Sequence, residues 1–180
     1  EYTEIFPLEI AAVMEDSRWP SRRQYLVGVI DWHTAGFTVQ VSDEITKING
    51  ITSDMLRGGL PAKAAWSSFR SMVEKADEVI AHNFEFDWKI TDIWGAKFEE
   101  WISVPGKLRY CTMNSGIQLC ALPSPRGGYK WPKLQELYQH LFSMQFEGAH
   151  GAMADCMAMR KCYVEMIRMG IPSTLGPFGS

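Results

Sequence analysis

Apolar positions along the chain follow two rhythms. Dense short runs come first. Glu9-Ile10-Ala11-Ala12-Val13-Met14 is apolar after its opening residue and predicts a buried strand. Glu15 to Ser21 is polar, contains Pro20 and predicts a turn. Gln24 to Trp32 (QYLVGVIDW) is rich in β-branched and aromatic residues and predicts a second strand; Gly36 to Val41 (GFTVQV) predicts a third. Ser42-Asp43-Glu44 then gives the hydroxyl-and-acid start of a short helix, and Asn49-Gly50 its stop. Ser53-Asp54 predicts another brief turn.

From Leu60-Pro61 the spacing becomes helical. Ala65, Phe69, Met72, Val73 and Ala76 keep that period behind a proline at the tolerated first position. Glu78 to His82 predicts a fourth strand, followed by a helix from about Phe84. Leu108 to Thr112 predicts a fifth strand, and Leu119 to Gly128, with two prolines and two glycines, a loop. Lys133 to Leu141 carries Leu134, Leu137, Tyr138 and Leu141 on one side of a helix, and the last helix runs from about Ala152 to Arg168. Consecutive strands followed by alternating helices and strands predict an α/β fold. The expectation is one domain over residues 1–169, a mixed sheet with helices packed on both faces, and a flexible tail over 170–180.

Composition narrows the classes. The 180 residues are 46 % hydrophobic and 22 % charged, which excludes a disordered or collagen-like chain. No apolar run is long enough to span a membrane. Glu1-Tyr2-Thr3-Glu4 is acidic and no apolar leader run follows, so the expected location is the cytoplasm, or the interior of a host cell if the protein is viral. A net charge of −3 leaves no global basic field, so a nucleic-acid partner must be held by a local site. Cys111, Cys120, Cys156 and Cys162 form no C-x-x-C pair and read as buried thiols. Seven tryptophans point mainly to packing, with one or two left to stack on bases.

Two segments carry chemistry. In Ala81-His82-Asn83-Phe84-Glu85-Phe86-Asp87 a strand ends at His82 and Asp87 falls in the first turns of the next helix, beside the strand edge where α/β sheets place ligands. An aspartate there also complements the helix dipole. In His150-Gly151-Ala152-Met153-Ala154-Asp155, five residues of ideal helix would set the two side chains about 140° apart. They converge only if His150 lies in the turn before the helix and Asp155 in its opening turns, a geometry that Gly148 and Gly151 permit. Histidine suits general-base work at neutral pH, and aspartate suits a hard cation. Arg126, Lys130 and Lys133 around Gly127-Gly128-Tyr129 are either phosphate contacts or a solvated loop. His82 and Asn83 are expected to orient the strand end, and Trp88 to pack in the core.

Taken in order, AHNxxFD at a strand end and HxAxxD opening the last helix resemble the DEDDh exonucleases. These are 3′→5′ exonucleases of RNase H-like fold, including polymerase proofreading subunits and phage relatives. Glu9-Ile10-Ala11-Ala12-Val13 looks like the family's second strand. Glu44 to Thr52 (EITKINGIT) looks like its IHGIT turn, with Asn49 in place of histidine, and Leu134 and Leu137 match an apolar pair of a later helix. The resemblance covers roughly residues 1–169. It implies hydrolysis of phosphodiester bonds at the 3′ end of DNA or RNA, releasing nucleoside 5′-monophosphates. It also implies two Mg²⁺ or Mn²⁺ ions, with Asp87, Asp155 and Glu1 as metal ligands and His150 as general base.

The family's first motif, D-x-E-T, is incomplete here. Aligning its E-T-T-G on Glu1-Tyr2-Thr3-Glu4 puts the glutamate on Glu1 and leaves the aspartate outside, so the expectation is that further residues precede Glu1. Ile30 to Gly36 (IDWHTAG) imitates the motif, with His33 in place of glutamate, but follows the EIAAV strand and is rejected. The implied partners are a nucleic-acid 3′ end and a polymerase or replication complex, with no membrane. A second reading, prompted by the incomplete motif, is a catalytically inactive relative that binds nucleic acid or a polymerase.

Overall fold

The computed structural model describes residues 6–16 and 18–179. The chain divides into two compact units: residues 1–76, 89–103 and 150–153, and residues 77–88, 104–149 and 154–180. Both units combine strands with helices, as an α/β protein does.

In the first unit β1 (Glu9–Asp16) pairs antiparallel with β2 (Trp19–Asp31), Glu9 opposite Val29 and Ile10 opposite Gly28. β2 starts well before Gln24, so Glu15, Asp16 and residues 19–21 of the expected turn lie in strands instead. The end of β2 pairs in parallel with the two-residue β3 (Leu60–Pro61). That approach needs a glycine: a Cβ on Gly59 would sit 2.4 Å from the Val29 carbonyl oxygen. Short helices α1 (Asp43–Asn49) and α2 (Ser53–Leu56) lie between β2 and β3, and α3 (Ala62–Lys75) follows β3 directly. Ser42 caps α1 through its hydroxyl, and Gly50 ends it at φ 75°.

Ile10, Ile30, Trp32, Leu56, Trp66 and Trp94 make the core of this unit. Trp32 is fully buried, donates its indole N–H to the Pro7 carbonyl at 2.8 Å and stacks on Phe98. The expected third strand over Gly36 to Val41 does not form. Phe37 and Val41 pack against the core and Val39 is buried within it, but the backbone amides go elsewhere. Phe37 N–H bonds the Trp32 carbonyl and Val41 N–H the Ser53 hydroxyl, so the segment runs without a ladder.

The second unit contains the parallel pair β4 (Glu78–Ala81) and β5 (Leu108–Cys111), with Ile80 opposite Tyr110. Around them lie α5 (Thr112–Cys120), α6 (Leu134–Phe142) and all but the start of α7 (Ala152–Arg168). The sequence reading has no helix at α5. Tyr110, Leu137, Tyr138, Cys162 and Met166 form the core. Burial pushes the Cys120 thiol up to about 11 and the Cys162 thiol up to about 12, as buried thiols require.

The segment after Gly170, expected as a flexible tail, instead runs beside β5 with defined partners. Phe178 and the Gly106–Lys107 turn exchange two backbone hydrogen bonds, and Arg109 donates to the Gly176 and Pro177 carbonyls. No helix among the described residues is long and apolar enough to cross a membrane.

Candidate active site

β4 ends at Ala81 and α4 (Phe84–Phe98) begins three residues later, so His82 and Asn83 form the whole connection. His82 fastens it. Its Nε2 faces the Pro132 carbonyl at 3.1 Å and its Nδ1 faces the Thr112 hydroxyl at 3.0 Å. A carbonyl only accepts, so Nε2 carries the proton and donates, while Nδ1 accepts from Thr112. Burial holds the ring's pKa down to about 4, against a smaller opposing effect of the Pro132 carbonyl, so His82 is neutral. This is the strand-end orienting role expected from sequence.

Asp87 lies in the first turn of α4, its N–H on the Asn83 carbonyl at 3.0 Å. Phe84 and Trp88, one turn apart, stack with ring centroids 5.9 Å apart and both meet Phe178. They turn one face of the helix inward and leave Glu85, Phe86 and Asp87 exposed. Trp88 therefore packs, as expected. Surrounding protein still withdraws enough solvation from Asp87 to raise its carboxyl to about 6.

His150 stands two residues before α7, with a left-handed backbone at φ 77°; Gly148 is also left-handed. Asp155 is half-buried in the first turn of α7. The turn-then-helix arrangement that the spacing required is thus present. His150 belongs to the first unit, Asp87 and Asp155 to the second. Glu1 lies outside the described residues. Among the described residues no three His, Cys, Asp or Glu side chains gather as a metal-holding group.

Two further features come from the structure alone. Glu9, at the start of β1, accepts the backbone N–H of Ala152 at 3.0 Å. A cavity of about 500 Å³ in the second unit is lined by Asn83, Glu85, Asn114, Ile117 and the exposed Trp131. Of the basic loop residues, Lys130 is paired with Glu136 at 2.5 Å. Asp31, in the rejected IDWHTAG segment, caps its own turn: it accepts from the Gly58 and His33 amides, and these bonds lower its pKa.

The RNase T family model, described as exonuclease, matches residues 36–163, a span that holds Asp87, His150 and Asp155. The chain belongs to the exonuclease family. It is thus a nuclease with nucleic acid as substrate. No curated protein matches the chain. Exonucleases of this family generally use divalent metal ions. The donor chemistry in the second unit fits such ions. Asp87 and Asp155 carry hard oxygen donors, and a carboxylate short of solvation, as Asp87 is, gains from a cation's charge.

Proposed function

We propose that this exonuclease is of the DEDDh type, works 3′→5′ on DNA or RNA and releases nucleoside 5′-monophosphates. The observation that carries the reading is the placing of its two motifs. Asp87 opens the helix that follows β4 directly, and His150 precedes a helix whose first turn holds Asp155.

Asp87 and Asp155 are the proposed ligands of two Mg²⁺ or Mn²⁺ ions, with Glu1 as the further acid supplied by the first motif. Such ions, when bound, lower the pKa of an attacking water and neutralise charge on the leaving oxygen. The rest is the work of the chain. The Asn83 carbonyl and the Phe84–Trp88 stack fix the turn that presents Asp87. His150, exposed before α7, takes the proton of the water. His82 is unsuited to that step, because both its ring nitrogens are engaged within the fold.

The test is shortening of a 5′-labelled single-stranded oligonucleotide, as DNA and as RNA, by the full-length protein. The expected result is a ladder receding from the 3′ end with Mg²⁺ or Mn²⁺, abolished by EDTA and by Asp87→Ala or Asp155→Ala. His150→Ala should lower kcat by about 10²–10⁴-fold. Equal cleavage in EDTA, or loss from the 5′ end, would overturn the reading.

A further inference from the structure

His150 is a non-glycine residue at φ 77°, in a stretch from Ser143 to Gly151 without regular structure. Histidine tolerates this backbone better than most residues, yet such a conformation persists only where its surroundings fix it. The nearest fixed point on its C-terminal side is the start of α7. The first N–H groups of a helix lack partners within it. Here the Ala152 N–H is satisfied by the Glu9 carboxylate, from 143 residues away in sequence and within the same unit.

Glu9 can act as an anchor because its own backbone is held. It pairs with Val29 in the hairpin. On one side the Leu8 carbonyl accepts the Ile30 N–H at 2.8 Å, and on the other Ile10 is buried in the core. Alternation along β1 sends the Glu9 side chain to the face opposite Ile10. A rigid strand therefore holds the turn that carries the imidazole.

We infer that Glu9 is a positioning residue for His150, acting through Ala152 to hold the general base at one place. The inference rests on the proposed role of His150. It makes the reach of the Glu9 acceptor, rather than its charge, the property that matters. Gln at position 9 keeps both the reach and an acceptor oxygen. Asp keeps the charge but is shorter by one methylene.

The test compares Glu9→Gln, Glu9→Asp and Glu9→Ala with the unaltered full-length protein, using amide hydrogen exchange at Ala152 and steady-state hydrolysis. Expected for Glu9→Asp and Glu9→Ala is exchange at Ala152 faster by about tenfold. Their kcat should fall by about tenfold, with KM within about twofold of normal. Glu9→Gln should stay within about threefold of the unaltered protein in both readouts. Activity of Glu9→Asp above that of Glu9→Gln would overturn the inference and mark Glu9 as needed for its charge. Unchanged exchange or unchanged kcat in Glu9→Asp would also overturn it. The Gln–Asp comparison decides the matter even if Glu9→Ala fails to fold. His150→Ala in the same assay separates the two readings: if it retains activity, the general-base role itself fails.

Discussion

His82 is a single side chain that joins three stretches of backbone: the end of β4, the start of α5 through Thr112, and the approach to α6 through the Pro132 carbonyl. Its neutrality has a measurable consequence. The unfolded ring takes a proton below its ordinary value of 6.5, whereas the folded ring resists until about 4. Between those values the unfolded state binds more protons, so stability falls as pH falls. The His82 contribution is complete above pH 6.5 and lost toward pH 4, amounting to about 2 kcal/mol after allowance for partial exposure. In urea unfolding, the stability difference between the unaltered protein and His82→Gln should shrink by about that amount from pH 7 to pH 4.5. A constant difference would show that the ring titrates normally.

Among the elements, α5 shows where packing overrides local preference. Its sequence, TMNSGIQLC, holds Asn, Ser and Gly in succession, each a weak helix former, and gives no helix signal. The glycine has a tertiary reason. A Cβ at Gly116 would lie 3.2 Å from Leu137 and 3.3 Å from Pro132, so α5 and α6 meet over a hydrogen atom. Gly116→Val should cost about 1–3 kcal/mol and lower Tm by about 3–10 °C in a thermal melt. An unchanged Tm would mean the contact yields easily. By contrast α1 was legible in full, because Ser42 and Gly50 act on neighbouring amides and carbonyls. Residues 36–41 misled because Phe37, Val39 and Val41 alternate inward as strand residues do, and alternation cannot tell whether a ladder partner exists. The same divide runs through the candidate site. Asp87, His150 and Asp155 take their local settings from adjacent residues and could be placed from sequence. The Glu9–Ala152 bond joins residues 143 apart in sequence and could not.

For the whole molecule, the C-terminal segment is the chief departure from the sequence reading. Its glycines and prolines suggested mobility, yet Phe178 is buried, packs on Trp88 at 4.5 Å between ring centroids and lies beneath the Arg109 guanidinium. Phe178→Ala should therefore reduce stability by about 1–3 kcal/mol and speed proteolysis of residues 171–179, read by unfolding and by mass spectrometry of the digest. Resistance equal to that of the unaltered protein would show that the backbone bonds to the Gly106–Lys107 turn suffice without the ring.

Both compact units are discontinuous in sequence: the chain leaves the first at residue 76, returns for 89–103 and comes back once more for 150–153. No single break in the gene releases either unit whole. A single crossover at any point leaves at least one unit divided between the products, so the two units must be exchanged, duplicated or lost together.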